Sequence, residues 1–235
     1  MINKLPENLY RLPELVERTG IFADRADAGR ILAGLLVRQN LADPLLLAIP
    51  AGGVPVAAAA AETLGWPLAA AVVSKILLPW NTEAGYGAVA WDGTLLFNRE
   101  LLPRLGLSDE EIEAGVAATR DKVAERVRRL MGTGDLPELA GRSAILVDDG
   151  LASGFTMLTA VAALKKASPG RIVVAVPTGH VEAARNLAAS VDSVLCANLR
   201  STYPFAVAAA YRLWRDVTEQ EALNLLRKVR SRPFV

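Results

Sequence analysis

The chain has 235 residues, long enough for one α/β domain with embellishments or for two very small ones, and its 52% hydrophobic content allows a large buried core. Twenty-six basic residues against 25 acidic ones give a net charge of +1, without the basic excess of a general nucleic-acid binder. The single cysteine, Cys196, excludes a disulfide within the chain; in "SVLCANL", with no basic neighbour, it reads as a small core residue in a reducing compartment.

The opening "MINKLPENLYRLPELVERTG" mixes both charges and lacks the apolar stretch of a signal peptide. The expectation is a soluble, cytoplasmic protein. "ADRADAGRILAGLLVRQ" predicts a helix with Ala28, Ile31, Leu32 and Leu35 on one face, and "PLLLAIP" a buried strand. "VPVAAAAAETLG" predicts an alanine-rich helix that packs tightly on a sheet and stops at Gly65. "LAAAVVSKI" reads as the next strand. Residues 54–73 are the most apolar stretch, but Glu62, Gly65 and Pro67 break it, so it is a helix and a strand rather than a membrane span. "GAVAWDGTLLF" reads as a hairpin turning at Asp92-Gly93.

Residues 98–142 differ. "SDEEIEAGVAATRDKVAERVRRL" opens on a capping box, Ser108 with Glu111, and carries mixed charges over a narrow apolar face, which predicts a long, partly exposed helical excursion. The basic face of "RDKVAERVRRL" reads as solvated surface. Strands resume at "AILV", "RIVVAVP" and "DSVLCANL", and a last helix starts at Thr218, with Glu221 in capping-box position. Strands alternating with helices predict a Rossmann-like parallel sheet covered on both faces. No repeat or linker is visible, so a single domain spanning 1–235 is expected. Ligands of such sheets bind at the carboxyl ends of the strands. The loops "PAGG" (50–53), "SKILLPWNTEAGYG" (74–87), "DDGLASG" (148–154) and "PTGH" (177–180) are therefore expected to converge.

The stretch "AILVDDGLASGFTM" (144–157) carries the chemistry. Gly150 and Gly154 free the backbone between a strand and a helix, so that successive N–H groups can form an anion nest at the helix N-terminus, with Ser153 and Thr156 adding hydroxyls. Asp148 and Asp149 would repel a phosphate that they faced. Beside it they suit the hydroxyls of a sugar, so the pattern fits ribose 5-phosphate. No Gly-x-Gly-x-x-Gly follows the first strand, and there is no Walker loop.

This stretch resembles the signature of the type I phosphoribosyltransferases, which bind phosphoribosyl pyrophosphate. "IPAGGVPVAAAAAETLGWPL" with "AAAVVSKI" resembles one bacterial branch of that superfamily, as do "FADRADAGRILAGLL", "LGLSDEEI" and "YPFAVAAAYRLWRDVTEQEALNLL", so the likeness covers roughly 20–228. It implies a parallel sheet, a flexible loop over the active site and a small hood to which the N- and C-terminal segments contribute. It also implies transfer of phosphoribose to a nitrogenous acceptor with Mg²⁺ and release of pyrophosphate. By this resemblance Gly150, Leu151, Ala152, Ser153, Gly154 and Thr156 cradle the 5-phosphate. Asp148 and Asp149 hold the ribose hydroxyls, Asp149 near the reacting centre, and either approaches the metal through water. Ala51, Gly52 and Gly53 bind pyrophosphate through N–H groups, with a cis peptide expected at Ala51-Gly52, and Lys75 supplies positive charge to the leaving group. Residues 79–87 belong to the mobile loop, with Asn81 and Glu83 as candidate contacts. Trp80 and Trp91 are candidates to stack on a base, and His180 to face the acceptor. In the family an arginine usually stands where this chain has Ala51 and often where it has Ser74, so the resemblance leaves three outcomes open: weak pyrophosphate binding, recruitment of Arg30 or another cation, or loss of catalysis. A non-catalytic regulator that senses the same ligand is the alternative. The superfamily analogy extends to a homodimer.

Overall fold

The computed structural model describes residues 5–132 and 136–230. In chain order the elements are β1 (Leu9–Tyr10), α1 (Arg25–Leu36), β2 (Pro44–Ala48), α2 (Gly53–Leu64), β3 (Leu68–Ala70), β4 (Val73–Leu78), β5 (Asn81–Ala90) and β6 (Leu95–Phe97). There follow α3 (Asp109–Leu130), β7 (Ser143–Val147), α4 (Phe155–Lys166), β8 (Arg171–His180), α5 (Val181–Ala188), β9 (Ser193–Arg200) and α6 (Glu219–Arg230). Six strands form one parallel sheet in the order β1-β9-β8-β7-β2-β3. Its central strands β7, β8 and β9 are buried throughout except at Arg171, as unbroken apolar runs require when helices cover both faces. One face packs Leu46, Ile145, Val173 and Leu195 against α1, α2 and α6; the other packs Leu47, Leu146, Val174 and Val194 against α4 and α5.

Strand order sets the position of the site. From β2 the chain moves to β3 on one side, and from β7 to β8 and β9 on the other, so the direction of winding changes between β2 and β7. The loops leaving these two strands part there and open a crevice at their carboxyl ends.

The expected single strand "LAAAVVSKI" is two. Ala71 N–H closes the pairing with β2 by donating to Ala48 O at 2.8 Å, and from Val73 the chain pairs antiparallel with β5 in a separate three-stranded sheet, β4-β5-β6. Ala71, Val72 and Val73 are all buried, so an uninterrupted apolar run serves two sheets without a glycine or proline to mark the change. Residues 79–87, expected as a mobile loop, lie mostly in a β4–β5 hairpin whose register shifts on either side of Leu77. "PTGH" is no loop either: β8 runs through His180, and its register with β9 is kept to Arg200.

The other expected elements form. Gly65, at φ 69°, ends α2, and Ser108 and Glu111 form the capping box of α3. α3 rides on β4 and β5 because Gly115 leaves room for the Tyr86 hydroxyl, which would lie 2.3 Å from an added Cβ. Thr218 and Glu221 bond reciprocally at the start of α6. Cys196 is buried, and burial pushes its thiol pKa up, in keeping with a core role. Among the described residues no helix is long and apolar enough to cross a membrane.

Candidate functional site

The loops after β2 and β7 meet. Ile49 N–H donates to Val147 O at 2.8 Å, which locks the two strand ends together. A Cβ on Gly52 would lie 2.1 Å from Asp149 Oδ2, and one on Gly53 would lie 2.6 Å from Val147 O. Only hydrogen at these positions lets the loops approach so closely. The cis peptide of this loop joins Pro50 to Ala51, one bond earlier than expected. Gly53 N–H already donates to Ile49 O at 3.0 Å, which leaves Ala51 and Gly52, rather than all three residues, with N–H groups free of a protein acceptor among the described residues.

The loop after β7 is pinned in the middle and open beyond. Leu151, expected to cradle a phosphate, instead bridges β8: its N–H donates to Thr178 O at 2.9 Å, its carbonyl accepts from His180 N–H at 2.8 Å, and its side chain is buried. Ala152 and Ser153 then stand exposed, and Gly154 takes φ 76° as the residue before α4. The N–H groups of Ala152, Ser153 and Gly154 have no protein acceptor among the described residues, and the helix dipole of α4 lies behind them. Gly150 is closed over by Val207, 2.3 Å from the place of its absent Cβ. Val207, in the C-terminal segment, therefore roofs this loop.

Asp148 and Asp149 sit between the two loops. Asp148 Oδ1 accepts from Asp149 N–H at 2.8 Å, and Asp149 Oδ2 accepts from Arg25 Nε at 2.8 Å. Burial raises the Asp148 pKa well above the usual aspartate range, with the neighbouring Asp149 charge adding to it and Lys75 and Arg25 opposing. Burial also raises Asp149, against the pull of Arg25. The Tyr211 hydroxyl donates to Asp149 O, and burial raises its own pKa. Arg25 is completed by a bond from Nη1 to Arg215 O at 2.7 Å and lies 3.8 Å from the Trp214 ring centroid.

A cleft of 290 Å³ runs from this pair, lined among others by Pro50, Ser74, Lys75, Lys122, Arg126, Asp148 and Thr156. Lys75 is exposed at the rim, and Thr156 brings the first turn of α4 to the same space. Three cations thus face the cleft, two of them from α3. Arg126 is buried, donating from Nη1 to Ser74 Oγ at 3.0 Å and to Val73 O at 3.3 Å, and from Nε to Glu219 at 2.6 Å. The basic face of α3, expected as solvated surface, therefore turns one arginine inward onto Ser74. Arg30 stays exposed beside Asp27. Asn81 lies on the hairpin, and the Glu83 side chain falls outside the described residues. Trp80 is exposed and Trp91 packs against the core, while His180 is buried as the N-cap of α5. Arg25, Lys122, Arg126 and Tyr211 escaped the sequence reading. Each stands in a helix or tail pattern that looks like ordinary surface or core until the chain is folded.

Residues 92–211, about half of the chain, match the family model described as "Phosphoribosyl transferase domain". That stretch contains the loop after β7 but not Ala51–Gly53 or Lys75. The crystal structure of TT1426 from Thermus thermophilus is 34% identical in sequence with a TM-score of 0.69, covering 88% of this chain and 98% of that one. Two Mycobacterium tuberculosis proteins, each named "Putative phosphoribosyl transferase", are 32% identical over 206 residues, 88% of this chain. The chain spans about half the length of these two relatives, 46%.

Proposed function

Because the chain belongs to the phosphoribosyl transferase family, we propose that it moves phosphoribose from phosphoribosyl pyrophosphate to a nitrogenous acceptor and releases pyrophosphate. One observation carries this reading. A helix-terminal nest and a loop with two free N–H groups lie on either side of one acidic pair, with cations across the cleft. That order of donors, acids and donors supports a sugar with a phosphate at one end and a pyrophosphate at the other.

The residues then act as follows. Ala152, Ser153, Gly154 and Thr156 hold the 5-phosphate through N–H and hydroxyl donors. Asp148 and the free Oδ1 of Asp149 accept from the ribose hydroxyls, which fixes the sugar for in-line attack at its C1. Ala51 and Gly52 donate to the pyrophosphate, and Lys75, Lys122 and Arg126 stabilise the negative charge that grows on it as the bond breaks. Arg126 takes the place of the arginine that Ser74 lacks. Hydrogen bonds from such groups to a charged ligand contribute ~1.5–3 kcal/mol each.

Among the described residues no three His, Cys, Asp or Glu side chains gather to hold a metal. Two adjacent carboxylates fit Mg²⁺, which keeps several waters and binds chiefly to phosphate oxygens. Asp148 and Asp149 would hold it through water, and when bound it supplies charge neutralisation of the leaving pyrophosphate.

The test is calorimetric titration of phosphoribosyl pyrophosphate with Mg²⁺, followed by a pyrophosphate-release screen over purine and pyrimidine bases. Micromolar binding with release for one base is the expected result. Binding without release from any acceptor would favour the regulator, and no binding would overturn the reading.

A further inference from the structure

The carboxyl ends of β8 and β9 carry four polar side chains that the transfer reaction as written leaves unused. Thr178 is in register with Asn198 and His180 with Arg200, so the four project together on one side of the sheet. Thr178 and Asn198 are fully buried, and His180 and Arg200 are only 4% and 6% exposed. Five of their atoms, Thr178 Oγ1, His180 Nε2, Asn198 Oδ1 and Arg200 Nε and Nη1, are shut off from solvent without a hydrogen-bond partner among the described residues. Native proteins leave few buried polar atoms unpaired, and a buried guanidinium least of all. No carboxylate among the described residues pairs with Arg200. Glu17, which reaches the neighbouring residues, is bonded to Ser201 and Thr202 instead.

The chemistry of the free atoms is one-sided. His180 Nδ1 accepts from Glu182 N–H at 3.4 Å, so the neutral ring carries its proton on Nε2 and that atom is a donor. Asn198 Nδ2 is committed to Arg18 O at 3.0 Å, which leaves its carbonyl oxygen. Two guanidinium N–H groups, an imidazole N–H and a hydroxyl thus face a single obligate acceptor, with one positive charge among them. A fork of this kind suits the two oxygens of a carboxylate.

Aromatic rings cover the cluster. Tyr203 and Phe205 lie 4.5 and 5.7 Å from the His180 ring, and Arg200 Cζ is 5.3 Å from the Phe205 ring centroid. Tyr203 is 78% exposed, so the cover is a surface segment, not core. The cluster is also wired to the site, because Thr178 O and His180 N–H both bond to Leu151, two residues after Asp149.

We propose that Thr178, His180 and Arg200, beneath Tyr203 and Phe205, form a subsite for the carboxylate of a planar aromatic acceptor, which enters when residues 201–206 lift. This rests on the transfer reaction proposed above, and it narrows the acceptor from nitrogenous compounds in general to those bearing an acid.

The probes are pyridine-3-carboxylate and benzoate, with their neutral amides as controls, titrated into the protein at fixed ionic strength. The carboxylates should bind and the amides should not. Arg200→Met should weaken carboxylate binding about tenfold or more, while its unliganded Tm is no lower than that of the wild type, since Nε and Nη1 have no hydrogen bond to lose and methionine can keep the packing on Phe205. Should Arg200→Met fail to fold, Tyr203→Ala decides: it changes an exposed residue, and weaker carboxylate binding at unchanged Tm is expected. Equal binding of acids and amides, no binding of either, or carboxylate binding indifferent to both variants would overturn the subsite. Ribose 5-phosphate titrated into the same samples separates the two readings. If it binds while acids and amides are not distinguished, the subsite falls and the transfer reaction stands. If carboxylates bind but ribose 5-phosphate does not, the transfer reaction falls, and the acceptor role with it.

Discussion

Arg25 Nε lies 2.8 Å from Asp149 Oδ2, and that contact divides the acidic pair into two unequal carboxylates. Asp149 has one oxygen committed to a guanidinium that is itself clasped by Trp214 and Arg215 O, so its orientation is fixed from the C-terminal segment. Among the described residues Asp148 has no cation in hydrogen-bond contact and is bonded only to the next N–H of the chain. Asp149 is thus the member held by a cation, and burial, which raises both carboxyls, raises Asp148 the further.

Removing Arg25 should therefore cost more than an exposed ion pair would. The pair is mostly buried, with side-chain exposures of 9% and 16%. Breaking a buried pair by deleting one partner typically destabilises by ~3–5 kcal/mol, because the other charge is left uncompensated. We expect Arg25→Leu to lose about 3 kcal/mol in urea unfolding at neutral pH. Its ribose 5-phosphate affinity should fall as well, because Asp149 is no longer aimed. A loss below about 1 kcal/mol would place the pair with surface ion pairs.

Gly52→Ala tests the contact between the two loops. The new Cβ would sit 2.1 Å from Asp149 Oδ2, well inside any allowed separation. One loop must move, and overpacking of this kind costs ~1–3 kcal/mol. Pyrophosphate and ribose 5-phosphate binding, measured separately, should both weaken, since the shift is shared. If only pyrophosphate weakened, Asp149 would have stayed in place.

Arg126 offers a test of the cation supplied by α3. Arg126→Met removes a charge from the cleft and its bonds to Ser74 Oγ and Glu219. Inhibition by pyrophosphate should weaken about tenfold, the equivalent of ~1.4 kcal/mol. Glu219→Gln is the control, because it loosens Arg126 but keeps its charge, and it should retain most of the affinity. Equal losses in the two variants would mean that Arg126 acts only as a strut for α6.

The parts legible in the sequence were those with a local cause. Apolar runs of strand length, the Gly65 stop, the Ser108–Glu111 box and the acid-acid-glycine loop after β7 each follow from neighbouring residues, and each forms where it was expected. The cis peptide apart, which falls one bond earlier than expected, the failures are long-range. Nothing within "LAAAVVSKI" says that its second half leaves the sheet, because the decision is made by pairing with β5, beginning at Ala90. Leu151 looks like part of a phosphate loop until β8 claims its N–H. Arg25 and Arg126 lie 124 and 52 residues in sequence from the Asp149 and Ser74 they bond, a separation that no periodicity reports.

The last prediction concerns pH. Burial, and then the Asp149 charge, raise the Asp148 pKa in the folded protein above its unfolded value of ~3.9. Between those two values the folded state binds more protons than the unfolded state, so stability falls as pH rises. The contribution is complete below the unfolded pKa and is lost as pH climbs through the folded one. Asp148→Asn keeps an oxygen for the Asp149 N–H but cannot ionise, and it should be free of this loss. Urea midpoints of the two proteins should nearly coincide at about pH 4 and separate as pH rises from there, with Asp148→Asn the more stable. Groups of opposite sense cancel in the difference. Glu221, for example, is drawn down to about 2 by Arg215 and the Thr218 N–H in both proteins. A gap that stays constant with pH, or a wild type that gains stability over this range, would show that Asp148 is not the strained member of the pair. Ribose 5-phosphate affinity should fall in the variant even as its stability rises. That opposition is expected of a carboxylate kept in place by its ligand rather than by the fold.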